Sequence, residues 1–292
     1  MTRSWLFVPG NSEKKLAKSV DTQADAVILD LEDSVVPENK AFARECIATF
    51  LSDRSDQERQ RWWVRINPLT HPEVNLDLEA VMPGKPEGIV LPKAGSLADF
   101  ERLTQYIREF ETRYDLAIGS TRILPLTTET PGSIFSLGEY QRAGPRLAGL
   151  TWGAEDLCTA IGARCNQFED GHWTQPFELA RSLCLFAAHA AGVEAIDTVF
   201  RNFRNPDGLR ASCEKARSDG FSGKLAIHPA QVDVINEAFA PSREELQHAQ
   251  QLVALFEANP GAGTLSLNGL MVDIPHLKQA RKLLNIKKTD EN

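Results

Sequence analysis

Two carboxylates stand directly behind apolar segments in the middle of the chain. Glu129 follows RILPLTT and Asp156 follows LAGLTWGAE, and no set of Cys and His residues accompanies them. This combination suits a hard divalent cation, because Mg²⁺ commonly takes one or two protein carboxylates together with substrate oxygens and water. A metal-free acid–base pair and two structural caps are the alternatives that the spacing leaves open.

Arg65 is a third candidate, because it ends the apolar segment WWVR. An arginine at the end of a buried strand is costly unless its charge is paired. It can clamp a substrate carboxylate through two parallel hydrogen bonds. It can also be neutralised by the acidic DLED stretch at 30–33 and serve only the structure. Both roles are compatible if Asp30 orients it.

Lysines occur early in the chain, within VPGNSEKKLAKS at 8–19. Lys14, Lys15 and Lys18 fall in a helix that follows a Gly-Asn turn, and a helix N-terminus with lysines favours a phosphate. Lysines on an exposed helix face are, however, usually only solvated. The chain has no GxGxxG or P-loop pattern, and no Ser or Cys has an evident His partner. A dinucleotide cofactor and a nucleophilic triad are therefore not indicated.

These residues need a scaffold that brings strand ends together. Short apolar runs alternate with helical patterns, and the runs are continuous rather than alternating, as is typical of strands covered on both faces. We predict eight strands and a (β/α)8 barrel, in which the active site lies at the C-terminal strand ends. A doubly wound open sheet is the alternative. The predicted strands are 4–9, 26–31, 62–67, 88–93, 122–129, 147–156, 195–200 and 224–229.

The chain continues for more than 50 residues beyond the predicted barrel, which we place at 1–240. Residues 241–292 are predicted to form a C-terminal helix and a lid segment. Ser242 and Glu245 have capping-box spacing at the start of that helix. Gly261, Gly263 and Gly269 are candidate hinge positions before and within SLNGLMVDIP, where Asp273 is a carboxylate inside an apolar run.

Composition narrows the classes of function. The chain has 292 residues and a net charge of −8, which argues against a general nucleic-acid binder. Five cysteines without CxxC spacing indicate reduced thiols, and no apolar stretch approaches 18 residues. We therefore expect a cytoplasmic protein that binds neither nucleic acid nor membrane.

Several stretches together resemble the citrate lyase β-subunit-like acyl-CoA lyases, which include malyl-CoA and citramalyl-CoA lyases, of the HpcH/HpaI aldolase/citrate lyase superfamily. The resemblance covers nearly the whole chain. It is carried, in order, by RSWLFVPGNSEKKLAKS, ADAVILDLEDSVVPENKAFAR, VRINP, ETPGS, GAEDL, GFSGKLAIHPAQVDVINEAFAPS and GLMVDIPHLKQA.

The resemblance implies a (β/α)8 barrel with Mg²⁺ held by Glu129 and Asp156, and Arg65 in contact with the keto-acid part of the substrate. It implies a homotrimer or homohexamer, in which the C-terminal element of one subunit covers the active site of its neighbour. Asp273 would then be the catalytic acid/base, with a pKa that we expect its apolar neighbours and the exclusion of water on lid closure to raise.

The implied reaction is a reversible Claisen-type cleavage of a 3-hydroxy-3-carboxyacyl-CoA to acetyl-CoA and a 2-keto acid. Lys14 and its neighbouring lysines would meet the CoA phosphates. Asp30 would orient Arg65, and Glu32 and Asp33 would hold metal-bound waters. The alternatives are a CoA-independent class II-type aldolase that releases pyruvate, a non-catalytic CoA-metabolite-binding subunit, and a thioesterase side activity.

Overall fold

Eight parallel strands close into a barrel in the computed structural model, which describes residues 1–55 and 58–290. Each strand pairs with the next along the chain, and β1 also pairs with β8, with Ser4 opposite Lys224. The predicted barrel is thereby confirmed, and the open-sheet alternative is excluded. The strands are β1 (Ser4–Pro9), β2 (Ala26–Asp30), β3 (Trp62–Arg65), β4 (Gly88–Leu91), β5 (Arg122–Thr127), β6 (Gly149–Trp152), β7 (Glu194–Asp197) and β8 (Gly223–Ala226).

Helices connect the strands and cover the outside of the barrel. The α-helices of this part of the chain are α1 (Glu13–Ser19), α2 (Lys40–Ser52), α3 (Val74–Val81), α4 (Leu97–Arg113), α5 (Glu155–Ala160), α6 (Gln175–Ala190), α7 (Pro206–Asp219) and α8 (Val232–Phe239). Short 3-10 helices occupy Pro37–Asn39, Glu58–Arg61, Met82–Gly84, Pro131–Arg142 and Pro229–Gln231. No helix in the described ranges is both long enough and apolar enough to span a bilayer.

The barrel interior is filled by side chains rather than by solvent. Trp5 and Trp63 meet edge to face with their ring centroids 5.0 Å apart. The strands are buried on both faces, which is why their sequences read as continuous apolar runs. The buried interior cluster consists of Trp5, Ala26, Ile28, Trp63, Val90, Leu124, Leu126, Ala148, Ile196 and Leu225.

The chain divides into two compact units, and Thr2–Glu237 contains the barrel. The second unit begins at Ala238 and contains α9 (Arg243–Glu257), β9 (Thr264–Leu267), β10 (Leu270–Asp273) and α10 (Ile274–Asp290). Ser242 and Glu245 form the expected capping box at α9. The unit has its own core, formed by Ala249, Leu252, Phe256, Val272, Leu277 and Ala280.

The β9 and β10 strands form an antiparallel hairpin that the sequence analysis did not predict. Asn268 and Gly269 connect them with positive φ angles of 54° and 81°. Two such residues are what a type I′ turn requires, and Asn-Gly is the commonest pair that supplies them. Gly269 therefore belongs to a tight turn, and its assignment as a hinge was wrong.

Candidate functional site

Arg65 is paired with Asp30 at the C-terminal ends of β3 and β2. The two residues are register partners, and Arg65 Nε and Nη2 each donate a 2.7 Å hydrogen bond to one carboxylate oxygen of Asp30. Burial acts to raise the pKa of Asp30, but the guanidinium outweighs it and holds this pKa below its usual value. The Phe7 ring lies 4.7 Å from the guanidinium carbon. Arg65 is thus fixed in orientation, and the planar fork keeps further donors for a ligand.

Four acidic residues gather around the Lys93 side chain at this end of the barrel. Its Nζ donates to Glu32 Oε1, and lies 3.8 Å from Asp33 Oδ1 and 3.6 Å from Asp156 Oδ2. Its backbone N–H donates to Glu129 Oε2. We call Glu32, Asp33, Glu129 and Asp156 the mouth carboxylates.

The mouth carboxylates are joined to the arginine pair through Glu32. Arg65 Nη1 lies 2.9 Å from Glu32 Oε2 and 4.0 Å from Asp33 Oδ2. Burial raises the pKa of Glu32 despite these cations. The predicted residues after β2, β3, β5 and β6 therefore meet in one continuous polar cluster.

Glu129 is almost fully buried, with 4% of its surface exposed. Burial raises its pKa well above the usual value, and a hydrogen bond with Asp156 raises the pKa further. Room for Glu129 comes from Gly153 at the end of β6, where an added Cβ would stand 2.7 Å from Glu129 Cγ.

The donors present fit a magnesium ion. Glu129 and Asp156 offer two neighbouring carboxyl groups, and a bound cation would favour their deprotonated forms, because metal binding requires deprotonated ligands. Across the described residues, no group of three or more His, Cys, Asp or Glu side chains forms a closed metal cage. A site with two carboxylates, open to substrate and water, is consistent with this finding and with the preferences of Mg²⁺.

Asp273 belongs to the C-terminal unit, at the end of β10. Its Oδ1 lies 2.5 Å from His276 Nδ1 and accepts a 3.4 Å hydrogen bond from His276 N. The His276 hydrogen bonds lower the pKa of Asp273 here, whereas the expected rise concerns a closed lid that excludes water. Along β10, Val272 is buried and Asp273 is only partly buried.

A groove of about 770 Å³ is lined by β1, by α1 and the loop after it, and by the residues that follow β8. We call it the β1–β8 groove; its lining includes Lys15, Lys18 and His228 but not Lys14. His228 Nδ1 accepts a 3.2 Å hydrogen bond from Ala230 N, and its ring stacks on Phe203. The backbone therefore holds the His228 ring through Nδ1.

Sequence reasoning missed two members of this arrangement. Lys93 is the last residue of the predicted strand 88–93, and its contacts with the mouth carboxylates depend on the conformation of the loop after β4. Lys40 is the second residue that the sequence did not indicate. Its buried Nζ donates hydrogen bonds to the carbonyl oxygens of Leu31 and Glu32 and to Asn67 Oδ1. It therefore fixes the backbone that carries Glu32.

Known proteins resemble this chain over nearly its full length. The (3S)-malyl-CoA thioesterase of Cereibacter sphaeroides is 35% identical over 290 residues, covering 97% of this chain and 93% of the relative. The mitochondrial citramalyl-CoA lyase of Mus musculus is 32% identical over 301 residues, covering 97% and 85%.

The crystal structure of CitE from Mycobacterium tuberculosis, in complex with magnesium, acetoacetate and coenzyme A, has a TM-score of 0.78 and 31% identity, with 97% of both chains covered. A family profile described as HpcH/HpaI aldolase/citrate lyase matches residues 3–229. These matches confirm the resemblance and the expectation of a lyase. The chain belongs to the HpcH/HpaI aldolase/citrate lyase family.

Proposed function

We propose that this magnesium-dependent, coenzyme A-related lyase cleaves a 3-hydroxy-3-carboxyacyl-CoA to acetyl-CoA and a 2-keto acid, and also runs the reverse reaction. The observation that carries the proposal is the oriented Arg65 fork, which is linked through Glu32 and Lys93 to Glu129 and Asp156 at the strand ends of a barrel. The CitE structure with magnesium, acetoacetate and coenzyme A supports it, because that relative binds a magnesium ion, a keto acid and coenzyme A together.

Glu129 and Asp156 would hold Mg²⁺, and Glu32 and Asp33 would hold its water molecules. The ion supplies a Lewis acid for the carboxylate and hydroxyl oxygens of the substrate. Arg65 binds the same end of the substrate and stabilises the negative charge that develops on its oxygen. Asp30 keeps the guanidinium in the required plane through its two hydrogen bonds.

In the proposed cleavage, the 3-hydroxyl group gives its proton to a water molecule and the C2–C3 bond breaks. The electron pair of that bond stays on C2, and the keto acid leaves. The resulting thioester enolate must gain a proton at carbon. Asp273 is the proposed acid, and in the reverse direction it is the base that takes a proton from the acetyl methyl group.

We propose that Asp273 acts from the C-terminal unit of a neighbouring subunit in a homotrimer or homohexamer. The hairpin carries exposed apolar side chains beside it: Leu270 is 71% exposed and Met271 is 65% exposed. Exclusion of water by these side chains on closure would reverse the lowering of the Asp273 pKa. Sedimentation of the purified chain tests the assembly, and a monomer would contradict it.

Coenzyme A is proposed to lie in the β1–β8 groove. Lys15 and Lys18 line the groove and can contact phosphate groups. A contact between Lys14 and the CoA phosphates stays a prediction. The apolar floor from Leu6 and Val8 can accept the pantetheine part of the substrate.

Replacing both Lys15 and Lys18 by Gln is expected to raise the KM for the CoA ester by about fivefold at low ionic strength, with little change in kcat. The phosphates lie far from the bond that breaks, so the lost contacts concern binding alone. Steady-state kinetics compare this variant with Lys14→Gln. A larger rise in KM for Lys14→Gln would instead place the phosphates outside the groove.

The substrate is tested by incubation with citramalyl-CoA, malyl-CoA and citryl-CoA, with and without Mg²⁺. We expect at least one to yield acetyl-CoA and its 2-keto acid, and the activity to disappear after chelation of the metal. Cleavage of the free hydroxy acids would favour the CoA-independent aldolase. A lack of turnover with all three esters would favour a binding subunit.

Thioester hydrolysis is a second candidate function. It is favoured by the 35% identity to a relative named (3S)-malyl-CoA thioesterase. The same incubations separate the two activities, because hydrolysis releases free coenzyme A and an intact hydroxy diacid. Release of acetyl-CoA before any free thiol would identify the lyase as the primary activity.

A further inference from the structure

Lys93 is the one residue that contacts all four mouth carboxylates within the described part of the chain. Its ammonium reaches Glu32, Asp33 and Asp156, and its backbone N–H reaches Glu129. The side chain is 32% exposed, whereas that of Glu32 is 4% exposed. The Lys93 ammonium thus lies between the buried and the open parts of the cluster.

The backbone of Lys93 is in the left-handed region, with a φ of 50°. This conformation is unfavourable for a residue with a side chain, and such positions cluster at functional sites. Lys85 also has a positive φ, of 51°, but it is exposed and precedes β4. The chain thus contains a second lysine with a left-handed φ outside the cluster.

We propose that Lys93 is an internal counter-ion that competes with Mg²⁺ for the mouth carboxylates and so lowers the affinity of the site for the metal. The inference rests on the proposed magnesium site at Glu129 and Asp156. A divalent ion on Asp156 would share this carboxylate with the Lys93 ammonium, which lies 3.6 Å from it. Two positive charges that share one carboxylate in a partly buried site repel each other.

A lysine is suited to this role. Its charge is compact, strongly hydrated and carried on a flexible stem, so it can withdraw toward water when the metal arrives. In the absence of metal, the ammonium offsets the repulsion among four carboxyl groups. Lys93 is therefore a positioning residue that acts through the ligands and needs no contact with the substrate.

The test is Mg²⁺ titration of the metal-stripped full chain by calorimetry. Lys93→Gly removes the ammonium and suits the positive φ, so the variant should fold. We expect its Mg²⁺ dissociation constant to fall by about tenfold or more. Its melting temperature should also rise more steeply with added Mg²⁺ than that of the unmodified protein. Lys85→Gly, the matched control, should leave both quantities unchanged.

A second variant separates charge from side-chain bulk. Lys93→Arg keeps the positive charge and should keep the original affinity or weaken it. An unchanged or weaker Mg²⁺ affinity in Lys93→Gly would overturn the inference. It would also be overturned if Lys93→Arg gained as much Mg²⁺ affinity as Lys93→Gly. If Lys93→Gly does not fold, Lys93→Gln gives the same comparison.

Failure of the proposed metal site can be distinguished from failure of the proposed role of Lys93. If Glu129→Ala binds Mg²⁺ as the unmodified protein does, the proposed site is wrong and this inference falls with it. If Glu129→Ala loses Mg²⁺ while Lys93→Gly shows no change, only the role of Lys93 is overturned.

Discussion

The Asp273→Asn variant is expected to lose turnover by a factor of about 10²–10⁴ and to keep its Mg²⁺ and keto-acid affinities. An amide of the same shape cannot give a proton to the enolate carbon or take one from the acetyl methyl group. The substitution is informative because Asp273 also precedes α10 and accepts a hydrogen bond from His276 N. Asn caps helices as well as Asp does, so the fold should be retained.

Two measurements check this expectation: kcat for cleavage, and exchange of the acetyl-CoA methyl hydrogens with deuterium in the presence of the keto acid. Glu257→Gln makes the same carboxylate-to-amide change at an exposed position of the same unit and serves as the control. A kcat for Asp273→Asn close to that of the unmodified protein would remove Asp273 from the chemistry and leave it the role of a helix cap.

Glu129→Ala and Asp156→Ala are expected to weaken Mg²⁺ binding by about 100-fold each, with loss of most activity. Each removes one of two protein ligands, and few protein oxygens remain for an ion that otherwise relies on water and substrate. The double variant should be little worse than either single one, because the two carboxylates act as a unit. Calorimetric titration with Mg²⁺ gives the affinities.

Glu155→Ala is the matched control for Asp156→Ala. The two residues are adjacent in the first turn of α5, but Glu155 contacts Asn166 at 2.8 Å and Arg201 at 3.2 Å instead of the mouth. Its removal should leave Mg²⁺ binding intact. Unchanged Mg²⁺ titration in Glu129→Ala or Asp156→Ala would refute the metal site.

The barrel could be predicted because strands that are buried on both faces have continuous apolar sequences. Predicted strand 4–9 coincides with the observed β1, whereas predicted strand 147–156 is longer than β6, Gly149–Trp152. The excess arises where the polar strand ends pass into active-site loops. Apolar composition locates the core of a strand, but hydrogen bonding to its neighbours decides its last residue.

Candidate residues at strand ends could likewise be predicted, because parallel strands in a barrel deliver their C-terminal ends to one face. The pairing of Arg65 with Asp30 followed from this topology. The role of Lys93 did not, since it depends on a left-handed residue in a loop that no periodicity marks.

In the C-terminal unit, local sequence signals indicate both a hairpin and the start of a helix. Asn268-Gly269 between two short apolar runs is a recognised hairpin signal. The spacing of Asp273 and His276 is that of a helix start, in which the first side chain bonds the backbone of the second. Alternation along β10 separates Val272 from Asp273, so neighbours in sequence are not neighbours in environment.

Gly153 limits which residues related sequences can have at position 129. Its N–H donates a 3.1 Å hydrogen bond to Thr127 O, which fixes it beside the end of β5, and its missing Cβ is the space that Glu129 uses. The residues at positions 129 and 153 should therefore vary together among relatives. A side chain at 153 and a long acid at 129 exclude each other, so a relative that has lost the glycine should have lost this ligand as well.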